Sequence, residues 1–569
     1  MAIILYIPAI KNGYNLDDNF VAAKDVHAPF GKRLTEIFTT HYIENEGGFT
    51  YEYRPLVKLS FLMEEQIFGH KPGLSHFINL LLYAWALSLL HRFLMLYLGE
   101  AKRSSVNLTL LLFACMPIHS EVVLSLKNRD ILLCFIFCFL AMNQILSDKK
   151  PIVKYSLATL FFTGAFLSKL DVVPFIFVAP FVVYTKYNIF SKPVIYSLLL
   201  VLFGWLMLLT LKAGLLQTMT TRHLEFYENP LTLQDSITNR FLVAIFSIGY
   251  YVTQAFVPIS LMSYYGYGTF DYLHFGFYHA TGIAVISGSA YLFYKYQKNT
   301  VIVFGLFTFY VFLSMYLNIV RLVSGVIADR FTFFLSIGLC LILAEVLTLN
   351  GLSFKALRFK YLQGNASLKW GFAGVILIFT IVSLKRTFDW KNKFTLYQAD
   401  LAKAPDNYKL NTLLATEYAQ EAKNNKQITM TQKRDMTLKS YELFKKAQGV
   451  YGGDYQTLNN IGYLELYVNL QPDTAIVYLK KSLQINNRFP ETYENIAEAY
   501  RRTNQLDSSI RYRKLAWIRD TKNENRLLKL YAEYLKYGYT REATWLKAYC
   551  NKNKYSEQLK ANVNSRVVN

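Results

Sequence analysis

Apolar and polar positions divide the chain into two parts of different character. Long apolar runs follow one another up to about Arg386, and beyond it Lys, Asn, Glu and Tyr mix at short spacing. A membrane-spanning helix needs about 20 mostly apolar residues, which the first part supplies repeatedly and the second part does not. The pattern predicts a polytopic membrane domain over residues 1–387 and a soluble domain over residues 388–569.

The apolar runs predict a bundle of transmembrane helices. Residues 1–10 are too short to cross alone, so we expect a start that is truncated, mis-set or an incomplete helix, without a cleavable signal peptide. Residues 241–262 are apolar between two external flanks, which favours a re-entrant or interfacial helix or a short helical pair. The predicted spans are residues 74–98, 104–118, 131–147, 152–168, 172–188, 194–216, 274–295, 300–319, 331–350 and 370–387.

The second part carries an internal repeat. Small residues recur at Ala447, Ser482 and Ala516, a spacing near 34 residues, which is the tetratricopeptide period. Small residues let paired helices approach closely, and stacked hairpins bury a shared core and leave a concave surface. The predicted fold class is therefore all-α, with a polytopic helical domain followed by an α-solenoid of tetratricopeptide-like repeats. An ordinary helical bundle is the alternative for the second part.

Charge adds an orientation to this picture. Lys and Arg number 61 against 39 Asp and Glu, a formal net charge of +22. In a polytopic protein this excess indicates cytoplasmic loops and contact with anionic membrane lipids, and we expect no nucleic-acid partner. The repeats then lie outside the cytoplasm. Basic residues mark one side of the bundle as cytoplasmic at positions 102–103, 149–150, 186–192, 295–298 and 355–369.

The connections on the opposite side mix acids, cations and histidines. Ionisable groups at membrane depth are costly, so they usually face a cavity and have partners. An Asp could accept a hydroxyl proton, and Arg or Lys could hold a leaving phosphate. The candidates are Asp17, Asp18 and Arg54 in the connection 11–72, His76 after it, His119, Glu121, Arg129 and Asp130 in 118–130, Lys169 in 168–171, and Asp329 and Arg330 in 319–330.

Several of these charged residues also have a plainer interpretation. The adjacent carboxylates of Asp17 and Asp18 could be solvated loop acids or a helix N-cap. A structural ion pair near the membrane interface is the favoured interpretation of Arg129 and Asp130. Neither interpretation needs a substrate. For Asp17 and Asp18, the structural and the functional interpretation are equally balanced.

The remaining candidates have structural interpretations of the same kind. His76 fits a hydrogen-bonded interior histidine. Asp329 and Arg330, at a helix start, fit a cap with a snorkelling Arg. His119 and Glu121 stand two residues apart, which is a weak pattern for metal ligands, and no metal site is predicted from them.

The order of the motifs is more specific than any one of them. "NGYNLDDNF" is followed by "YEYRPLVKLSF", "MPIHSEVVLSLKNRDILL", "LSKLDVVPF", "ADRFTFFLSIG" and "KRTFDWKNKFTLYQADLAKAPDN". Over nearly the whole chain, this order resembles the transmembrane-and-tetratricopeptide O-mannosyltransferases and their bacterial relatives. These are polytopic C-type glycosyltransferases fused to repeats. The resemblance implies three properties: the polytopic membrane fold of this family, a polyprenyl-phosphate sugar donor, and glycosyl transfer on the extracytoplasmic face.

The resemblance also implies roles for particular residues. The adjacent acids after the first helix include the catalytic base of the family, so Asp17 or Asp18 is the expected base. We favour Asp18, without a physical reason that separates the two. Lys169 and Arg330 are expected to bind the donor phosphate. We further expect donor or substrate binding from Arg54, Arg129 and Asp329, and support of the site from His76, His119, Glu121 and Asp130.

Three positions depart from the family pattern. Met116 stands where the family often has the first His of His-Pro-x-His, which weakens a metal interpretation and leaves a divalent cation open. Leu170 follows Lys169 where Glu is usual, and Asp171 comes one step later, a rotation of about 100° on a helix. The Asp common after the P-x-x-x-S stretch is absent from "VPISLMSYYGYG".

Three functions compete on this basis. The first is transfer of a mannose-like sugar to an extracytoplasmic acceptor, expected to be a protein Ser/Thr hydroxyl presented by the repeats. The departures favour a second, a non-catalytic membrane-anchored scaffold for an envelope assembly. A transporter or flippase is disfavoured, because no inverted duplication is apparent. Composition suggests a bacterial inner membrane with periplasmic repeats; the equivalent eukaryotic location is the endoplasmic reticulum with lumenal repeats.

Overall fold

The protein is all-α over the part that the structure describes. This computed structural model describes residues 2–18, 21, 29–40, 43–44, 50–51, 53–187, 204, 206, 224–357, 361–553 and 555–565. Within those residues the strands form only two antiparallel pairs of two-residue strands. The chain divides into two compact units, Met1–Ala404 and Pro405–Asn569. The predicted span 194–216 lies almost wholly outside the described residues.

The first unit is a bundle of helices. Its α-helices are α1 (Ala2–Tyr6), α2 (Phe30–Thr39), α3 (Pro55–Phe68), α4 (Pro72–Leu98), α5 (Arg103–Cys115), α6 (Ser120–Leu124), α7 (Arg129–Ile145), α8 (Pro151–Phe166), α9 (Phe175–Tyr187), α10 (Ile237–Phe256), α11 (Phe277–Tyr296), α12 (Thr300–Leu313), α13 (Thr332–Leu349), α14 (Ala366–Asp389) and α15 (Lys393–Leu401). The strand pairs are β1 (Ile43–Glu44) with β2 (Thr50–Tyr51), and β3 (Ser353–Phe354) with β4 (Leu362–Gln363).

Five helical segments of the described part are long and apolar enough to cross a membrane. They underlie five of the predicted spans. A sixth is bent, because the helix that ends at Cys115 turns by 54° into Pro117–Leu124. Pro117 has no N–H to continue the helical ladder, so the predicted span 104–118 breaks there. The five segments are Pro72–Leu98, Leu126–Ile145, Leu170–Tyr187, Asp329–Leu349 and Ala366–Asp389.

The path of residues 241–262 is a single helix followed by a loop. This helix, α10, packs against α11 at a glycine crossing. A Cβ on Gly249 would come within 1.9 Å of the Tyr278 carbonyl oxygen, and one on Gly282 within 2.1 Å of the Ile245 oxygen. Small residues at such crossings let helix backbones pack closely where lipid offers no hydrophobic driving force.

The second unit is a solenoid of helical hairpins. Its helices are α16 (Tyr408–Asn424), α17 (Met430–Val450), α18 (Tyr455–Tyr467), α19 (Pro472–Ile485), α20 (Pro490–Arg502), α21 (Leu506–Arg519), α22 (Glu524–Lys536), α23 (Thr540–Lys552) and α24 (Glu557–Ser565). Ala447, Ser482 and Ala516 are fully buried between helices, and the Ser482 hydroxyl donates to the Tyr455 carbonyl at 2.7 Å. The predicted repeat architecture is confirmed.

Candidate functional site

The acidic pair is fixed to one end of the bundle by the segment before it. The Gly13 amide donates to the Lys391 carbonyl at 3.0 Å, and the Asn15 side chain donates to the Trp390 carbonyl at 2.6 Å. Buried backbone groups seek partners, so these bonds hold the short N-terminal segment against the end of α14. Asp18 and its neighbour therefore lie at the same end as the exit of the last apolar helix.

Asp18 is fully buried and its oxygens are occupied by protein donors. One carboxylate oxygen accepts the Asn15 amide at 3.0 Å. The other accepts the Lys127 amide at 2.8 Å and the Ser125 hydroxyl at 3.3 Å. Burial raises the pKa of Asp18 to about 6, against the opposing effect of these donors. At neutral pH the residue is a carboxylate that joins two connections.

Asp17 has a different environment, although it is the adjacent residue. Its side chain is 47% exposed and forms an ion pair with the Lys127 ammonium group. Its carboxylate also interacts electrostatically with the Arg330 guanidinium. A general base must be within reach of the hydroxyl it deprotonates. Of the two acids, Asp17 is the one with solvent access, which supplies a physical reason to separate them.

The titration of Asp18 gives a testable pH dependence of stability. Its pKa is about 6 in the folded protein, above the ordinary value of 3.8. Between these pH values the folded state holds a proton that the unfolded chain has released, so this contribution to stability is complete below about pH 4 and is lost as the pH rises through 6. The difference in melting temperature between the wild-type protein and Asp18→Asn should therefore fall from pH 4 to pH 7. A difference that rises with pH would contradict the assignment.

Arg330 is a partly exposed cation that interacts electrostatically with Asp17. Its guanidinium pairs with the buried Glu121 carboxylate at 2.6 Å, and its backbone N–H donates to the other Glu121 oxygen at 2.9 Å. The side chain remains 28% exposed. Electrostatic interactions with Asp17 and Asp130 also reach this guanidinium. Glu121 thus orients a cation that a ligand from solvent could contact.

A second group of charges surrounds the buried Asp130. Its carboxylate forms an ion pair with the Arg54 guanidinium, and the Lys169 ammonium lies 3.3 Å from its other oxygen. The Lys169 ammonium also lies 3.7 Å from Asp171. The one-residue offset of Asp171 from the family position therefore leaves it beside the lysine. We use the name charged cluster for the mixed-charge group of Arg54, Asp130, Lys169, Asp171, Arg330 and the Arg330 partner Glu121.

Arg129 lies in a separate buried network. It is fully buried, and its guanidinium donates to Glu64 at 2.7 Å and to the Asn79 side-chain oxygen at 2.8 Å. The same guanidinium stacks over the Phe61 ring at 3.9 Å. This network ties α3 and α4 to α7, while the neighbouring Asp130 pairs with Arg54.

The two candidate histidines are interior residues. The His119 ring packs between Phe113 and Phe333 in tilted and edge-on contacts, with centroid distances of 4.3 and 4.9 Å. Its Nε2 is 2.8 Å from the Ser336 hydroxyl. The His76 Nε2 is 3.3 Å from the Gly13 carbonyl oxygen, which places it behind the acidic pair. Both rings pack against protein groups, and their support of the site stays a prediction.

Asp329 has different hydrogen-bond partners from its neighbour Arg330. It is buried and accepts hydrogen bonds from the Tyr265 hydroxyl at 2.7 Å and the Met262 amide at 3.1 Å. Next to this loop, the Arg386 guanidinium pairs with Asp400 at 2.6 Å. These contacts fix the loop after α10 against the end of the last apolar helix.

Sequence reasoning left four of these partners without a role. Lys127 lies within the motif "MPIHSEVVLSLKNRDILL", so the sequence already placed this cation among the candidate charges. Its contacts with Asp17 and Asp18 were not predicted. Arg386 and Asp400 also lie in one quoted motif, fourteen residues apart in number but 2.6 Å apart in space. Glu64 had no signal, because its helix segment "MEEQ" is typical of a polar surface.

Metal binding has no support in the described residues. Among them, no group of three or more His, Cys, Asp or Glu side chains is arranged to hold a metal ion. A requirement for a divalent cation therefore stays a prediction.

Comparison with known proteins adds no argument about this chain. No protein-family model matches the chain, and no curated protein matches it. A similar solved structure is the APC/C hetero-tetramer Cut9-Hcn1, at 12% sequence identity and a TM-score of 0.22, over 90% of this chain and 96% of that one. A TM-score of this size carries no argument about fold or function. The fold itself defines the class: an all-α protein with apolar helices that fit a membrane and a tetratricopeptide-like solenoid.

Proposed function

We propose that the chain is a membrane glycosyltransferase that moves a mannose-like sugar from a polyprenyl-phosphate donor to a protein Ser/Thr hydroxyl. The observation that carries this proposal is the electrostatic interaction between a half-exposed carboxylate, Asp17, and a partly exposed cation, Arg330. Both are at an end of the apolar bundle. A lipid-linked donor needs an apolar surface for its chain and cations for its phosphate, and an acceptor hydroxyl needs a base.

The chemistry follows from these two positions. Asp17 takes the proton of the acceptor hydroxyl, whose oxygen attacks the anomeric carbon of the donor. The bond from that carbon to the phosphate oxygen breaks, and the electron pair leaves with the polyprenyl phosphate. Arg330 and Lys169 stabilise the charge that develops on the leaving phosphate. The step is one direct displacement and requires no intermediate on the protein.

The pairing within the charged cluster suits this role. Glu121 holds Arg330, and Asp130 holds Arg54 and Lys169. A cation that is already oriented by a buried carboxylate loses less entropy when it binds a phosphate. On this proposal the periplasmic repeats present the protein acceptor, and the membrane is the bacterial inner membrane. The endoplasmic reticulum is the equivalent location in a eukaryote.

A non-catalytic scaffold is the second candidate. One observation favours it: the oxygens of Asp18 are occupied by the amides of Asn15 and Lys127 and by a serine hydroxyl. A buried acid with this many protein donors has a structural role. In this case the solenoid would bind an envelope partner and the bundle would act as its anchor.

Glycan mass spectrometry separates the two functions. Extracytoplasmic proteins are compared from the host, from a strain without this gene, and from that strain with the gene restored. The transferase proposal predicts a hexose that is lost on deletion and regained on restoration. Purified protein in vesicles should also transfer the sugar from a polyprenyl-phosphate mannose to an acceptor peptide. Loss in cells without transfer in vesicles would favour the scaffold.

A further inference from the structure

An open surface cavity of about 520 Å³ lies between Lys102 and the turn that joins α11 to α12. It is at the side of the bundle that the basic connections mark as cytoplasmic. Three lysines contribute to its wall, together with polar side chains that can donate hydrogen bonds. The lining residues are Lys102, Lys295, Tyr296, Gln297, Lys298, Asn299 and Thr300.

The cavity has a fixed cation and an excess of positive charge. The buried Glu345 carboxylate accepts from the Lys102 ammonium at 2.5 Å and from the Asn299 side chain at 2.8 Å. This pairing orients Lys102. Among the described residues, Lys295 and Lys298 form no ion pair, so three lysines face one carboxylate. The lining of the cavity therefore carries a net positive charge.

The position of the cavity along the bundle places it at the second membrane face. Glu345 follows Arg330 by fifteen residues along the helical segment Asp329–Leu349, a rise of about 22 Å. The helix that leads to Lys295 exposes aromatic side chains next to the cavity, with Tyr291 at 59% and Tyr294 at 77% exposure. Exposed aromatic residues followed by lysines are typical of the membrane–water boundary.

We propose that this cavity binds the phosphate group of an anionic phospholipid of the adjacent leaflet. Lysine is a point charge suited to phosphate, and basic pockets between helix ends on the cytoplasmic side bind acidic lipid headgroups. A volume near 520 Å³ is within the range of ligand cavities. A soluble phosphate compound would present the same chemistry to Lys102, Lys295 and Lys298. The inference does not depend on the proposed sugar transfer.

Native mass spectrometry of the full chain tests the lipid assignment. The protein is reconstituted with equal amounts of phosphatidylglycerol and phosphatidylcholine, and the retained lipids are counted. Wild-type protein should retain phosphatidylglycerol roughly tenfold more than phosphatidylcholine. The double variant Lys295→Gln/Lys298→Gln should lose the preference. Lys295→Arg/Lys298→Arg, which keeps the charge, should retain it, as should Lys149→Gln/Lys150→Gln in another exposed connection of the basic side.

Two outcomes would overturn the lipid assignment. One is equal retention of the two lipids by the wild-type protein, or a preference that the Gln variant keeps. The other comes from titration of inorganic pyrophosphate into protein in phosphatidylcholine alone. Pyrophosphate binding that disappears in Lys295→Gln/Lys298→Gln, without any lipid preference, would assign the cavity to a soluble phosphate instead.

Discussion

Asp17→Asn should reduce sugar transfer by about 10²–10⁴-fold while leaving the melting temperature of the protein almost unchanged. The substitution removes the negative charge of a half-exposed side chain and keeps the shape of that side chain. Its ion pair with Lys127 is partly solvated, and such surface pairs contribute little to stability. The measurement is the initial rate of transfer from a polyprenyl-phosphate mannose to an acceptor peptide, with the melting temperature of the same preparation.

The adjacent residue provides the matched control. In Asp18→Asn, the new amide nitrogen must face one of the donors that the carboxylate accepts, from Asn15, Ser125 or Lys127. A buried donor without an acceptor costs about 1–3 kcal/mol, so this variant should lose stability. Transfer retained in Asp17→Asn but lost in a folded Asp18→Asn protein would return the base to Asp18. Loss in neither would move the base elsewhere.

Much of the fold follows from local pattern. The five apolar runs that become long helices need only length and hydropathy, and the repeat needs only its period. The bend at Pro117 has a local cause too, but its effect is that residues 118–130 form short buried helices instead of an open connection. The α10–α11 pairing depends on Gly249 and Gly282 meeting in space, and no window of sequence contains that contact.

The sequence indicated which residues belong to the candidate site better than it indicated how they pair. Charge in an otherwise apolar domain identified Arg54, Asp130, Lys169 and Arg330, because such groups persist only with partners. Which partner each residue has depends on packing between distant segments. For this reason adjacency was a poor guide: Asp17 and Asp18 have opposite exposures although they are neighbours in sequence.

Arg129→Leu should prevent accumulation of folded protein. The fully buried Arg129 guanidinium is the partner of the buried Glu64 carboxylate at 2.7 Å. Removal of one member of a buried pair leaves an uncompensated charge and costs about 3–5 kcal/mol, a large share of the stability of a typical domain. The measurement is the yield of monodisperse protein after extraction in detergent and its melting temperature.

Two matched variants separate charge from packing in this experiment. Arg129→Leu/Glu64→Leu removes both charges, so it should recover part of the lost stability if the unpaired carboxylate is the cause. Arg240→Leu breaks an ion pair of the same length, 2.7 Å to Asp235, at an exposed site and should change the melting temperature little. If Arg129→Leu were as stable as Arg240→Leu, the buried network would contribute no more than a surface pair. Arg129 would then again be a candidate for binding a ligand rather than holding the bundle together.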